Sequence, residues 1–281
     1  MSKLPFKTDL PVLLPVTPPT QSEAFQIRFW HGFALFGICM ISSEYVFADD
    51  AEAQASAFST LIKWMPLLLS GFFFNIIISF CAMALGTIVG TALGLGQISL
   101  MPAIKGSSWF VTQFFRNAPW LVLLFFAMFL LPFEFNLGFV VIPFPDWVKA
   151  IIGLSLPVMA NVSEVVRGAI ASLPSGQWEA AESLAYTRRQ TLWLVILPQC
   201  VKRMLPPWMN LYSILTMATV LASVVGVSEV MTLTGEALAA EGGRTDLLAP
   251  FYSFILLIFF IYCYPIARYT VYLEKKFAVK T

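Results

Sequence analysis

The chain has 281 residues, of which 58% are hydrophobic and only 12% charged, and its mean hydropathy is +0.79. These values exclude an ordinary soluble globular protein and indicate a chain that crosses a membrane several times. The net charge of +1 and the absence of a long basic run give no support for nucleic-acid binding. The four cysteines are far apart in sequence, so we expect small packed side chains instead of a disulfide framework or a metal site.

The N-terminal region divides into three parts. Residues 1–27 contain five prolines and little regular apolar spacing, which predicts a mobile tail. Residues 28–47 are apolar enough for a first membrane helix that anchors the chain. In an alternative interpretation, Val46, Phe47 and Ala48 form a signal-peptidase site and this segment is cleaved. An acidic segment, residues 48–65, separates the anchor from the next apolar stretch.

The second predicted span, residues 66–98, is longer than a bilayer requires, so we expect it to tilt or to begin in the interface. Three glycines, Gly86, Gly90 and Gly94, repeat at every fourth position along it. Small residues at this spacing allow two helices to approach closely. They therefore predict a helix-packing face, not a ligand site.

Four further spans are predicted over residues 119–135, 148–171, 211–233 and 250–272, the first of them after a short loop that contains Lys105. Prolines between residues 134 and 149 exclude a continuous helix there, and Pro157 predicts a kink in the fourth span. Glu164 and Arg167 are three residues apart, which predicts an ion pair on one helix face. The sequence thus predicts an all-α, polytopic helical membrane protein with about six transmembrane helices.

A charged island, residues 179–198, lies between the fourth and fifth apolar segments. Ser175 is a candidate N-cap for a first short helix. Thr187 and Gln190 form a capping-box pattern, so a second helix should begin just after residue 186. We expect Pro198 to end that second helix.

The first short helix has the composition of a docking element. Glu179 lies near its N-terminus, where a carboxylate is stabilised by the helix dipole. Trp178, Ala181 and Ala185 are expected to share one face. The small side chains of Ala180 and Ala181 would let another surface approach closely.

This stretch resembles the cytoplasmic loop of the inner-membrane permease subunits of binding-protein-dependent ABC importers. Their signature is E-A-A, three residues, Gly, nine residues, Ile, one residue and Leu-Pro. This chain has Val at the Ile position and Ala185 at the Gly position, where a left-handed backbone would cost Ala about 1 kcal/mol. The resemblance implies that the ATPase-coupling residues are Glu179, Ala180, Ala181, Leu184, Ala185, Val195, Leu197 and Pro198.

The resemblance also implies how the chain is organised: a permease domain over residues 66–277 with a coupling loop at 172–205, preceded by the 28–47 anchor and a periplasmic segment at 48–65. This is a five-helix importer core with one additional N-terminal helix. With six spans and the coupling loop in the cytoplasm, 14 of the 17 Lys and Arg residues lie on the cytoplasmic side. This asymmetry predicts cytoplasmic N- and C-termini in a bacterial inner membrane.

Residues 163–181 and 221–230 resemble the polar amino acid uptake branch, the histidine and glutamine permease type, which implies an L-amino acid or a related solute as cargo. Many relatives carry Lys-Asp-Thr-Ser where this chain has residues 217–220, Met-Ala-Thr-Val. Without that cation and carboxylate, a zwitterion would lack partners, so we expect a second, non-identical permease subunit to supply most substrate contacts. Alternatively, this chain builds a path of its own from Asn161, Glu164, Thr219 and Ser223.

Energy for transport must come from elsewhere, because the sequence contains no G-x-x-x-x-G-K-[ST] phosphate loop. The resemblance implies that ATP and Mg²⁺ bind to a separate cytoplasmic ABC ATPase dimer, and that a periplasmic protein delivers the substrate. This chain is therefore expected to be a transport subunit without catalytic residues or a cofactor of its own. An ion-coupled secondary transporter is the alternative, although matching interrupted segments in two halves are not visible.

Overall fold

The computed structural model describes residues 29–46, 56–136 and 141–277, and the described chain is helical apart from one short hairpin. Its elements are α1 (Phe29–Val46), α2 (Ala57–Gln97), α3 (Pro102–Asn117), α4 (Trp120–Leu130), β1 (Glu134–Asn136), β2 (Val141–Pro143), α5 (Asp146–Ala171), α6 (Gly176–Ser183), α7 (Arg188–Gln190), a π-helical segment (Thr191–Ile196), α8 (Leu197–Ala218), a 3₁₀ segment (Thr219–Val225), α9 (Val230–Ala240), a second 3₁₀ segment (Thr245–Leu247) and α10 (Leu248–Phe277). The predicted tail, residues 1–27, lies outside the described residues. So do residues 47–55, which contain most of the predicted cleavage site.

The first predicted span corresponds to α1, which packs on α10. The rings of Phe29 and Phe260 are stacked with centroids 6.0 Å apart, and a Cβ at Gly32 would come within 2.5 Å of the Phe260 ring.

The helix α2 begins at Ala57, earlier than predicted, because Ser56 Oγ accepts a hydrogen bond from the Ser59 N–H and caps it. At 41 residues this helix is about 60 Å long.

The glycine repeat of α2 packs against α5, as the spacing predicts. A Cβ at Gly90 would lie 2.5 Å from the carbonyl oxygen of Met159, and one at Gly94 would lie 2.7 Å from Cβ of Val166. Neither distance is possible for a real side chain, so the two backbones are closer than any larger residue would allow. The pair α2 and α5 forms the centre of the bundle.

The third predicted span is wrong in its extent. Residues 102–117, which include the presumed loop around Lys105, form the helix α3, and the following α4 ends at Leu130 instead of residue 135. The two helices are bent by 107° because Pro119 holds the preceding Ala118 in an extended conformation, with ψ of 139°. The chain thus changes direction before it enters the bundle as α4.

Beyond α4 the prolines do prevent a helix, as predicted, and the chain forms an antiparallel hairpin in which Glu134 pairs with Pro143 and Phe135 with Ile142. The Phe144 N–H donates to the Phe133 carbonyl at 2.9 Å and closes its base. After the hairpin, α5 runs through Pro157 as one helix.

The fifth predicted span, residues 211–233, is also wrong in its extent. The helix begins earlier, runs from Arg188 to Val225, and ends at Gly226, whose φ of +89° breaks it before α9. Together, four described helices are long and apolar enough to cross a membrane, and the bent pair α3–α4 gives a fifth candidate. In α1, the apolar stretch Phe29–Ile41 is shorter than these spans.

Candidate functional site

The loop between α5 and α8 is attached to the bundle by polar contacts at its base. Arg203 Nη1 of α8 donates to the carbonyl and the hydroxyl of Ser172, at 2.7 and 2.8 Å. Gln199 Nε2 donates to Gln177 Oε1 at 3.1 Å. These bonds join the α6 helix and the end of α5 to the first turns of α8.

The turn after α6 is a Schellman motif built on an alanine. The Tyr186 N–H donates to the Ala181 carbonyl at 3.1 Å, and the Ala185 N–H donates to the Glu182 carbonyl at 2.8 Å. Ala185 has φ of +60°, and it is the one non-glycine residue with a positive φ in the described chain. The signature position therefore does require a left-handed backbone, and this chain satisfies it with a residue that is strained there.

The second helix begins as the capping box predicts. The Gln190 N–H donates to Thr187 Oγ1 at 3.3 Å, while the Thr187 N–H donates to Gln190 Oε1 at 2.9 Å. Ser175 is the N-cap residue of α6, as predicted, but its side chain accepts no capping hydrogen bond. Its carbonyl accepts from the Trp178 and Glu179 N–H groups instead, at 2.8 and 3.1 Å.

Pro198 does not end the second helix, contrary to expectation. The chain widens into a π-helix over Thr191–Ile196, and the Leu197 N–H donates to the Leu192 carbonyl, five residues back. This wider turn leaves room for the Pro198 ring, which would collide with a carbonyl four residues back in a regular α-helix. The helix then continues without interruption as α8.

The predicted coupling residues separate into an outer and an inner group. Glu179 and Ala180 are exposed, and Leu184 is 71% exposed, so these three present a free edge. Ala181 is only 4% exposed and packs inward, which corrects the expectation that it offers a docking surface. Ala185 lies beyond the end of α6 and does not share its face.

The inner group supports the loop from below. Val195 and Leu197 are partly buried and pack against the central core, as does Trp178, whose ring lies 5.2 Å from the Arg188 guanidinium carbon. Pro198 is exposed at the start of α8. The signature residues after the turn therefore position the loop instead of extending its surface.

A polar cluster lies where α2, α3 and α5 meet. Arg167 Nη2 is 2.6 Å from Glu164 Oε2, which confirms the predicted ion pair. Arg116 of α3 also approaches this carboxylate, at 3.6 Å, and Gln97 Nε2 donates to it at 3.2 Å. The carboxylate of Glu164 thus links three helices.

Two cavities of about 520 Å³ each are lined by Glu164. One lies between α2, α3 and α5. The other lies between α5 and α8, and Asn161 lines it with Arg116, Arg203 and Asn210. Asn161 Nδ2 itself donates to the Pro157 carbonyl at 2.8 Å. The structure therefore brings Asn161 and Glu164, two of the four predicted path residues, to one cavity.

The other two path residues lie elsewhere. Thr219 is fully buried, where its hydroxyl accepts from Asn75 Nδ2 at 2.9 Å and donates to the Thr216 carbonyl at 2.7 Å. Ser223 is partly buried and donates to the Val220 carbonyl. Neither lines the two cavities that contain Glu164.

A buried carboxylate near Thr219 was not singled out in the sequence. Glu229 is fully buried; it accepts from Asn75 Nδ2 at 2.8 Å and from the Met231 and Thr232 N–H groups, so it caps α9. Asn75 Oδ1 accepts from the Val230 N–H at 3.2 Å. The signal in the sequence was a carboxylate in an apolar region shortly after a glycine. Burying a carboxylate in such a region costs free energy unless it has hydrogen-bond or ionic partners.

These features define a polytopic α-helical membrane protein in which one polar, two-helix loop projects between two long spans. A family profile described as the binding-protein-dependent transport system inner membrane component matches residues 102–279, which is more than half of the chain. The chain belongs to this family.

Curated relatives agree with this assignment. The chain is 35% identical over 188 residues to the inner membrane amino-acid ABC transporter permease protein YhdY of Escherichia coli, a match that covers 67% of this chain and 50% of YhdY. It is 33% identical over 217 residues to the probable amino-acid ABC transporter permease protein YckA of Bacillus subtilis, covering 77% of this chain and 92% of YckA. The chain thus spans half the length of the first relative and nearly all of the second.

Solved structures share the fold. A crystal structure of an amino acid ABC transporter with histidines superposes with a TM-score of 0.67 at 24% identity, covering 79% of this chain and 99% of that chain. An inward-facing structure of the MetNI methionine ABC transporter gives a TM-score of 0.58 at 16% identity, covering 76% and 97%. At these identities the likeness establishes the helical membrane fold and nothing finer.

Proposed function

We propose that this chain is a transmembrane subunit of an ATP-driven importer that takes up an L-amino acid or a related polar solute. A periplasmic binding protein delivers the solute, and a separate cytoplasmic ABC ATPase dimer binds ATP and Mg²⁺. The chain spans a bacterial inner membrane several times, with both termini in the cytoplasm. Family membership supports the importer class and disfavours the ion-coupled alternative.

One observation carries the coupling role. The α6 helix presents Glu179 and Ala180 to solvent, as does its C-cap residue Leu184, while Ala181 is buried against the molecule. A short helix with a small residue and two carboxylates, Glu179 and Glu182, on its exposed side, followed by one large apolar side chain, suits insertion into a groove of a partner. Because Gln177 of this helix is hydrogen-bonded to Gln199 of α8, a force on the helix is transmitted to α8.

Contacts of α8 connect a movement of α6 to the rest of the helix bundle. Arg203 connects α8 to Ser172 at the end of α5, and Trp208 Nε1 of α8 donates to Thr87 Oγ1 of α2 at 2.9 Å. The cavity that contains Asn161 lies between α5 and α8. When the ATPase subunits close, α8 and α5 shift together and change the access to this cavity, provided each partner binds the two arrangements with different affinity.

The names of the relatives support the cargo class, and the missing charges in residues 217–223 support a second subunit. Relatives with names of amino-acid, L-cystine and glutamine transport proteins support an amino acid class. Residues 217–223 carry no charged side chain, and Thr219 among them is buried, so a zwitterion would find no ionic partner there. A second, non-identical permease subunit that carries the missing charges supplies most of the substrate contacts. A purified complex with two copies of this chain and no other permease would contradict this.

The coupling role is tested by Glu179→Lys, with Glu274→Lys as the matched control. Both carboxylates are exposed, and Glu274 lies on α10, outside the coupling loop. We expect Glu179→Lys to insert normally but to lose about tenfold or more in uptake and in co-purified ATPase, because the reversed charge opposes docking. Glu274→Lys should keep both. Full uptake and normal ATPase recovery with Glu179→Lys would refute docking through α6.

A further inference from the structure

The cavity between α2, α3 and α5 is not explained by the transport path. It has a volume of about 520 Å³, and its polar lining includes Gln97, Lys105, Glu164 and Arg167, with Trp109 at its side. Most of its lining comes from α3, whereas the cavity that contains Asn161 is lined mainly by α5 and α8; the two share Glu164. This second cavity is the strongest candidate for a further ligand site.

Helix α3 has the features of an element that lies in the plane of a membrane interface. It is bent by 107° from α4, so it crosses the end of the bundle instead of continuing into it. Trp109, Phe110 and Phe114 are exposed, whereas Ser108 and Thr112 are buried against the bundle. An amphipathic helix with exposed aromatic residues is typical of the headgroup region. The cavity beneath α3 is therefore within reach of lipid headgroups.

The cavity lining has a surplus of one positive charge. It contains two cations, Lys105 and Arg167, and one carboxylate, Glu164, with which Arg167 is already paired. Lys105 forms no ion pair with the described residues. The first turn of α3, which begins at Pro102 without a side-chain cap, adds partial positive charge at the same place. One negatively charged group, such as a phosphodiester, would balance this lining.

Gln97 adds a requirement for a hydrogen-bond donor. Its side chain is nearly buried, with only 4% of the residue exposed, and its Nε2 donates to Ser163 Oγ at 2.8 Å and to Glu164 Oε1 at 3.2 Å. The carboxylate fixes this orientation of the amide, since it can only accept. The remaining Oε1 is buried and has no hydrogen-bond partner among the described residues. A buried acceptor is costly unless a hydrogen-bond donor reaches it, and Gln97 is one of the residues that line the cavity.

We propose that this cavity binds the headgroup of an anionic phospholipid that carries hydroxyl donors, with phosphatidylglycerol as the matching chemistry. The phosphodiester lies between Lys105 and the N-terminal turn of α3, and a glycerol hydroxyl donates to Gln97 Oε1. The acyl chains leave along the exposed aromatic face of α3. A choline headgroup would not fit, because it has no N–H or O–H group to donate and no net negative charge.

Lipid retention by the purified chain tests this, measured by native mass spectrometry across a titration of phosphatidylglycerol. The variant Lys105→Gln removes the unpaired cation, and Lys202→Gln is the control, since Lys202 is exposed on α8 and lines neither cavity. We expect Lys105→Gln to retain phosphatidylglycerol about fivefold more weakly than the natural chain. The control Lys202→Gln should retain it as well as the natural chain does. Equal losses in the two variants would mean general charge attraction and would overturn the site.

Two ligand comparisons on the unaltered chain complete the test. Phosphatidylmethanol has the same charge as phosphatidylglycerol but no hydroxyl, so we expect it to bind about fivefold more weakly if Gln97 Oε1 accepts a hydrogen bond. Phosphatidylcholine with the same acyl chains should be retained least. Equal retention of all three lipids would overturn the proposal. If soluble glycerol 1-phosphate displaces phosphatidylglycerol at equal concentration, the site is a phosphate site and the lipid assignment fails.

Discussion

The strained turn after α6 gives a prediction that can be worked out from its geometry. Ala185 has φ of +60° at the C′ position of a Schellman motif, and a Cβ in this region costs about 1–2 kcal/mol. Replacing it with glycine removes that cost. The greater flexibility of glycine in the open state offsets about 0.5–1 kcal/mol of the gain. The net expectation for Ala185→Gly is a stabilisation of the turn by about 0.5–1 kcal/mol.

Hydrogen exchange of the Tyr186 amide reports this quantity, because its N–H closes the turn on the Ala181 carbonyl at 3.1 Å. Exchange through local opening should be about two- to fivefold slower in Ala185→Gly. The matched control is Ala180→Gly, which makes the same chemical change at an exposed helical position of α6, where glycine costs about 1 kcal/mol and exchange should be faster. If both variants speed exchange, the left-handed turn does not carry the strain we assign to it.

Two further predictions concern packing and pH. Gly90→Ala would place a Cβ 2.5 Å from the Met159 carbonyl oxygen. We expect it to lower the free energy of unfolding by about 1–3 kcal/mol and to lower the melting temperature. Gly235→Ala is the control and should cause little change, because a Cβ there would meet no neighbouring atom within 4 Å. Hydrogen bonds from Lys63 and Trp64, at 2.7 and 2.8 Å, lower the pKa of Glu241. Its contribution to stability is therefore present above the ordinary carboxyl pKa of about 4.3 and is lost as the pH falls through the lower folded value. Thermal scans should show Glu241→Gln less stable than the natural chain at pH 7 and equal to it at strongly acidic pH; a difference that grows on acidification would refute the assignment.

Interactions within a few residues could be predicted from the sequence. The capping box of Thr187 and Gln190 and the ion pair of Glu164 and Arg167 both form, because their partners are three residues apart and depend only on helix geometry. The apolar composition predicted a helical membrane protein for the same reason. Each transmembrane helix pairs its own backbone N–H and C=O groups, so its formation depends only on local hydrogen bonds. The family signature added the position of the coupling loop, although its partner contacts stay a prediction.

The limits of several helices could not be predicted from hydropathy and proline positions. The sequence pattern predicted that a helix ends at Pro198. In the structure a π-helical turn accommodates the proline ring, and the helix continues as α8. The hydropathy pattern also gave no reason to break the chain at Gly226 or to bend it before α4. The extended Ala118 before Pro119 and the left-handed Gly226 redirect the chain at these two points, and a hydropathy pattern does not report either backbone conformation.

The polar sites show the same division most clearly. Asn75 meets Thr219 across 144 residues of sequence and Glu229 across 154, and Gln97 meets Glu164 across 67. A local pattern identifies a polar residue in an apolar segment, but it carries no information about which distant group will satisfy it. The sequence by itself therefore determined the membrane class, the family and the position of the predicted coupling loop. Only the tertiary structure decided where the buried polar groups converge, because each must find its hydrogen-bond partner in space and not along the chain.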